Sequence, residues 1–208
     1  MKVAVLSESP VDEAAVRIFV SGLLGRQTQP VASLQTPPGW QSVFQYLPAV
    51  LQDLHYYRDA EALVVVVDSD NSPLHEQLHD QPGGANNKCR LCRLREVVAQ
   101  TQKHLNPVLN RIPIKTAIGL AVPAIEAWYL CGVDPHSTEA MLVQKLGAAT
   151  RAIKLQLKRD VYGMERPSLE LATKHAIKAA TRLAQNLDML VQLFPNGFGA
   201  LARDVRSW

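Results

Sequence analysis

Four carboxylates stand where the chain leaves short apolar runs: Glu8 and Asp12 follow residues 3–7, and Asp68 and Asp70 follow residues 62–67. Grouped carboxylates repel one another and are costly neighbours without a cation. Mg²⁺ or Mn²⁺ suits such a group, taking one or two carboxylates together with waters and phosphate oxygens. The chemistry is then phosphoryl transfer, in which the cation positions phosphate, activates water and neutralises developing charge. Glu126, just after Pro123, is a fifth acidic candidate. Each residue also has a plainer reading. Asp12 has the position of an N-cap or first-turn residue favoured by a helix dipole. Glu126 fits a capping position, and Glu8, Asp68 and Asp70 can be solvated strand-end residues.

A second group has softer ligands. His75 and His79 are spaced i and i+4, which places two imidazoles on one helix face, and Cys89 and Cys92 form a Cys-x-x-Cys pair further on. Both spacings suit a tetrahedral structural zinc, which would keep a Gly- and Asn-rich insertion with little apolar content ordered. The alternative is a flexible loop that carries these side chains incidentally. Cys131 reads as a small buried hydrophobe.

The elements that must position these residues follow from the apolar pattern. Residues 3–7 and 62–67 read as strands buried on both faces, the second a β-branched run fit for the centre of a parallel sheet. Val16, Phe19, Val20, Leu23 and Leu24 recur at helical spacing, with Gly25 placed to end the helix. Further strands are expected around residues 31–34 and 112–122, and a Pro-Pro-Gly turn at Pro37 to Gly39. Helices are expected over about 41–57 and 91–105, from Pro123 through Glu126 and Trp128, and over 168–194. The last carries Ala172, Ala176, Ala180, Leu183, Leu187, Leu190 and Phe194 on one stripe. Strands alternating with helices predict an α/β fold with a parallel sheet, right-handed crossovers and flanking helices. Ligands of such sheets bind beyond the carboxyl ends of the strands, which brings Glu8, Asp68 and Asp70 to one edge. The expected organisation is an α/β core over 1–135 with a Cys/His-containing insertion at 71–92, and a helical extension over 136–208 packed on it.

Composition bounds the partners. With 208 residues, 47% hydrophobic and 20% charged, the chain can bury one full core. No apolar run approaches the roughly 18 residues of a membrane span, and Met1-Lys2 leads straight into a strand rather than a signal peptide, so a soluble, cytoplasmic protein is expected. Three cysteines do not make a disulfide framework. The net charge of +3 conceals an asymmetry: residues 1–144 hold 11 Lys/Arg against 14 Asp/Glu, and residues 145–182 hold 9 against 3. A basic segment joined to an acidic site suits a polyanion drawn toward bound cations, although solvated helix faces would show the same bias.

Taken together, the acidic positions resemble the Toprim domain of topoisomerases, bacterial primases and OLD-type (overcoming lysogenization defect) nucleases. In that family the first strand ends in a Glu followed four residues later by an acid, as Glu8 and Asp12 do. A later strand ends in Asp-x-Asp, as in Asp68-Ser-Asp70. The order of elements agrees over about residues 1–130. Residues 122–128 are similar to a segment of uncharacterised Toprim-like families often associated with mobile elements or phage defence. Ser9 departs from the Gly usual after the first Glu, and glycines are sparse after Asp70.

The resemblance implies a magnesium- or manganese-dependent nuclease cleaving phosphodiester bonds of DNA or RNA. Glu8, Asp68 and Asp70 would hold one or two ions with Asp12 beside them, and Glu8 or Glu126 would serve as general base. Lys154, Lys158, Lys174 and Lys178 would hold the nucleic-acid backbone, Lys174 being also a candidate for stabilising transition-state charge. A partner ATPase and a homodimer remain open. The rival readings are a non-catalytic sensor or interaction protein using the same pocket for a nucleotide or protein, and an enzyme of small phosphorylated metabolites. No Walker loop or Gly-x-Gly-x-x-Gly supports the nucleotide route.

Overall fold

The structure, a computed structural model, describes residues 1–32, 38–109, 111–133 and 137–208. Four parallel strands, β1 (Lys2–Ser7), β2 (Gln29–Pro30), β3 (Ala62–Asp68) and β4 (Lys115–Ala121), form one sheet in the order β2-β1-β3-β4. The α/β class and the parallel sheet flanked by helices are as the apolar pattern predicts.

Alternation along the strands explains the layers. Val3, Val5, Val64 and Val66 enter one apolar cluster, while Ala4, Leu6, Leu63, Val65 and Val67 enter a second on the opposite face. Side chains of a strand point alternately to either face, so an unbroken apolar run can serve two cores at once. The first face is covered by α1 (Pro10–Leu24), and the second by α2 (Trp40–Tyr56) and α3 (Arg90–Lys103). Next come α4 (Glu126–Tyr129), α5 (Glu139–Val143) and α6 (Thr150–Tyr162), then α7 (Leu169–Leu183), α8 (Leu187–Leu193) and α9 (Phe198–Arg206). Residues of α7, α8 and α9 join the α1 cluster, so the C-terminal helices complete the first layer. The expected boundary at 135/136 falls on residues 134–136, outside the described residues.

Local chemistry sets the element ends near the site. Ser9 caps α1 with its Oγ accepting from Val11 N at 3.2 Å, Pro10 takes the first helical position, and Gly25 closes the helix at φ 62°. These are the favoured residues for a start, a first turn and a left-handed stop. The cap is therefore Ser9, and Asp12 is free to face elsewhere.

Three expectations are corrected. The strand placed around 31–34 lies at Gln29–Pro30, an exposed edge pair where a Pro can sit because no neighbour needs its N–H; residues 33–37, including the start of the expected turn, are outside those described. The single helix over 168–194 is two, because Asn186 caps α8 by accepting from Met189 N at 3.1 Å. The predicted stripe is nonetheless buried throughout both. His75 and His79 do not share a helix: His75 is in irregular chain and His79 in a 3₁₀ turn at Gln77–Asp80. The flanking chain, with Pro73 before the pair and Pro82, Gly83 and Gly84 after it, does not sustain an α-helix.

The far edge of the sheet is closed by the last helix. Asp204 of α9 accepts from Ile118 N of β4 at 3.1 Å, which satisfies an edge donor that would otherwise invite another strand. No helix among the described residues is long and apolar enough to cross a membrane.

Candidate active site and candidate metal cluster

The chain leaves β1 for β2 on one side and returns to β3 on the other side of β1. Between β1 and β3 the strand order thus reverses, and beyond the carboxyl ends at such a point a crevice opens. Glu8 follows β1 directly and Asp68 is the last residue of β3. Their side chains meet there, with Asp68 N donating to Glu8 Oε1 at 2.9 Å. Asp12, one turn into α1, and Glu126, opening α4, complete the wall of a cleft of about 540 Å³.

Lys154 and Lys158 of α6 form the opposite wall. The Lys154 ammonium donates to Asp68 Oδ2 at 2.8 Å and also to Asp70 Oδ1. It occupies the position between two carboxylates that a cation would take. Asp68 Oδ1 accepts from Ile125 N at 3.1 Å, which orients the carboxylate. Asp70 is the one non-glycine residue with positive φ among those described, at 47°. Its Oδ2 pairs with Arg90 at 2.8 Å, and the same guanidinium donates to Asp68 O at 2.6 Å. Such conformations persist only where surrounding contacts determine them. Here Lys154 and Arg90 do so, one on each carboxylate oxygen.

Proton affinities divide the cluster. Burial and the Asp68 carboxylate push Glu8 up to about 7. Burial and then Asp68 raise Asp12 well above the usual carboxylate range, and the same two causes raise Glu126. Burial also raises Asp68, against the opposing pull of Lys154. For Asp70 burial acts upward, but Lys154 and Arg90 outweigh it and hold the carboxyl low. Without a cation the site is therefore over-supplied with acids, as clustering of like charges in a half-closed cleft requires.

A pH dependence follows for the metal-free protein. Glu8 binds its proton more tightly folded than unfolded, so between pH about 4.5 and about 7 the native state holds the extra proton and stability falls as pH rises. The loss from Glu8 is on the order of 3 kcal/mol at most, and Asp12, Asp68 and Glu126 act in the same direction. Chemical denaturation without added divalent cation is expected to show that the wild type loses more stability than Glu8→Gln between pH 5 and pH 7.5, with Mn²⁺ restoring the wild type at pH 7.5. An equal change with pH in the two proteins would contradict the crowded-carboxylate description.

Of the four lysines expected to meet nucleic acid, two are at the site. Lys154 and Lys158 line the acidic cleft and also a neighbouring one of about 590 Å³ that Arg151 joins. Lys174 and Lys178 are exposed on α7 and line neither cleft, because Ala172, Ala176 and Ala180 claim the inward stripe of that helix. Arg166, of the basic segment 145–182, lines the acidic cleft as well, whereas Arg90 and Tyr162 were not among the expected residues. Tyr162 lies beside Glu126 and Asp12, and after burial those charges further disfavour its ionisation. It follows Lys154 and Lys158 at steps of four, a helical spacing that could have exposed it. The Tyr129 hydroxyl is buried without a hydrogen-bond partner and stands in the field of Asp12 and Glu126.

The second group converges too. Ligand atoms of His75, His79, Cys89 and Cys92 all lie within 4.8 Å of one another, so the cluster could hold a metal ion. Cys89 is the residue just before α3 and Cys92 lies in its first turn, which brings both sulfurs to the loop side. His75 Nδ1 is 3.7 Å from Cys89 Sγ and 3.5 Å from Cys92 Sγ. His75 Nε2 is 3.0 Å from Asp80 Oδ1, and Asp80 in turn pairs with Arg95. Burial lowers His75 and so favours the neutral imidazole that binds metals. His79 Nδ1 is buried with no hydrogen-bond partner. All three cysteines, Cys131 included, are free and buried.

What the fold and site define is an α/β domain with an acidic cleft at the reversal point of its sheet and a thiol-imidazole cluster alongside. No protein-family model matches the chain, and no curated protein and no solved structure matches it.

Proposed function

We propose that this chain is a Mg²⁺- or Mn²⁺-dependent phosphodiesterase of the Toprim type acting on nucleic acid. The observation that carries the reading is Lys154 seated between Asp68 and Asp70, with Glu8, Asp12 and Glu126, all raised in proton affinity, gathered around them. The donor set is all oxygen and held in a cleft, which fits a hard divalent cation. Bound there, such a cation would supply Lewis-acid polarisation of a phosphoryl oxygen and of an attacking water. Asp68 and Asp70, with Glu8, are the residues that would hold it. Lys154, released from the carboxylates, is within reach of phosphate oxygens at the cleft mouth. Lys158 and Arg166 line the same cleft and supply further positive charge for a phosphate backbone. Glu8, raised to about 7, is matched to accepting a proton near neutral pH. Glu126, next to Tyr162, is the alternative base. Nucleic acid, DNA or RNA, is the partner whose chain of phosphates suits this arrangement.

For the thiol-imidazole cluster the metal proposed is zinc. Zn–S and Zn–N bonds of about 2.3 and 2.0 Å at tetrahedral angles separate sulfur from nitrogen by about 3.5 Å. The 3.5 and 3.7 Å contacts of His75 Nδ1 match that edge. Asp80 on the other imidazole nitrogen is the usual outer support of a zinc-bound histidine. Reduced thiols of this kind suit a cytoplasmic protein.

The acidic site is tested by Mn²⁺ titration calorimetry at pH 7.5. Binding is expected in the wild type and at least about tenfold weaker binding in Glu8→Gln, the size of effect that loss of a ligand or its support produces. Absence of Mn²⁺ binding to the wild type, with the fold intact by circular dichroism, would remove the proposal.

A further inference from the structure

Residues 71–88 leave the end of β3 and return to α3 with a single 3₁₀ turn between, and His75 is the one fully buried residue among them. Such a segment cannot hold itself by apolar burial. Its return point is nevertheless placed with care. Arg90 is next to the ligand Cys89 and two residues before the ligand Cys92, and its backbone N donates to Ser72 Oγ at 2.9 Å, closing the loop on itself. The Arg90 guanidinium lies over the Trp40 ring, 4.7 Å from its centroid, and reaches Asp70 Oδ2, the Asp68 carbonyl and, at 3.9 Å, Glu8 Oε1. The Cys89 side chain makes no capping hydrogen bond, so the first turn of α3 is held by the Ser72 hydroxyl and by the cluster.

We infer that the metal held by His75, His79, Cys89 and Cys92 sets the position of Arg90, and through Arg90 the aim of Asp70 at Lys154, where the acidic cleft adjoins its neighbour. Arg90 is a positioning residue. It neutralises the outer oxygen of Asp70, leaves Oδ1 directed at the Lys154 ammonium beside Asp68, and holds a backbone that glycine would normally occupy. Without the cluster metal the 71–88 segment loses its cross-link, the first turn of α3 frays, and the guanidinium leaves both the carboxylate and Trp40. The acidic centre is then present but misaligned. The step from Arg90 to divalent-cation binding rests on the proposed function above; the step from cluster to Arg90 does not.

The experiment extracts the cluster metal from the whole protein with p-hydroxymercuribenzoate, following its release with a metallochromic dye. Two readouts are taken before extraction and after thiol regeneration in metal-free buffer: Trp40 emission, assigned by difference against Trp40→Phe, and Mn²⁺ affinity by calorimetry. Extraction is expected to shift Trp40 emission and weaken Mn²⁺ binding at least about tenfold, with zinc readdition reversing both. Arg90→Gln is expected to keep the cluster metal and melt close to wild type, yet bind Mn²⁺ as weakly as the extracted protein. Extraction from Arg90→Gln should add little further, since both act through one contact, and Arg90→Lys should recover part of the affinity.

Unchanged Trp40 emission and unchanged Mn²⁺ affinity after extraction would overturn the inference and leave the acidic site standing. Additive losses in extracted Arg90→Gln would overturn it as well, by showing two separate routes. Wild-type protein that releases no metal would also overturn it. If Trp40 responds but the wild type binds no Mn²⁺ at all, the coupling of cluster to Arg90 holds and the phosphodiesterase reading falls instead.

Discussion

Asp68→Asn is expected to lower metal-dependent phosphodiester cleavage by about 10³-fold or more, the scale on which removing a group the reaction acts through is felt, while leaving the metal-free fold within about 1 kcal/mol of wild type. The two effects separate because of where each oxygen goes. Oδ1 accepts from Ile125 N, a task an amide oxygen performs equally well. Oδ2 serves Lys154 and the cleft, where the negative charge is what matters. Folding already raises the proton affinity of Asp68, so its ionised form is disfavoured in the metal-free protein and a neutral isostere relieves repulsion with Glu8, Asp12 and Glu126. Ala would leave the Ile125 amide unpaired and confuse the result. Rates and denaturation midpoints measured side by side decide the matter. An Asp68→Asn protein that cleaves at the wild-type rate would exclude Asp68 from the reaction, and one that loses several kcal/mol without metal would make it a structural cap.

Cys92→Ser carries the other large effect. Both sulfurs belong to the apolar layer between the sheet and helices α2 and α3, with Cys89 fully buried and Cys92 nearly so. Losing the metal is therefore expected to reach beyond the loop, leaving His79 Nδ1 and a desolvated thiol uncompensated; burial first, and then the neighbouring Cys92, push the Cys89 thiol up to about 11. Loss of a structural metal is expected to cost on the order of 4 kcal/mol or more, about 8–16 °C in Tm for a chain of this length. Purified wild type is expected to carry about one equivalent of zinc and Cys92→Ser much less. A variant melting within about 2 °C of wild type would show that the four residues gather for some other reason.

Much of this architecture was legible where one physical rule governed a segment. The short apolar runs of β1 and β3 read as strands buried on both faces, and the rule that carboxyl ends of parallel strands share an edge brought Glu8, Asp68 and Asp70 together. Gly25 marked the end of α1 because capping chemistry is local, but at its start Asp12 competed as a cap with Ser9, which is the one that caps. Charge bias found Lys154 and Lys158 but could not separate them from Lys174 and Lys178, since which face of a helix is buried depends on its neighbours. The thiol-imidazole group was legible through a wrong intermediate: His75 and His79 meet by folding of irregular chain, not by helical spacing. Arg90 was invisible, because its role comes from a contact between the returning loop and the end of β3 that no spacing encodes.

The central claim is cleavage itself, and it is tested most directly by incubating purified protein with end-labelled single- and double-stranded DNA and RNA, in Mg²⁺, in Mn²⁺ and in chelator. The account predicts cleavage of at least one of these substrates with either cation, none in chelator, and its loss in Asp68→Asn. Full-length substrate after prolonged incubation with folded, zinc-loaded protein that binds Mn²⁺, or product that forms equally in chelator, would contradict it.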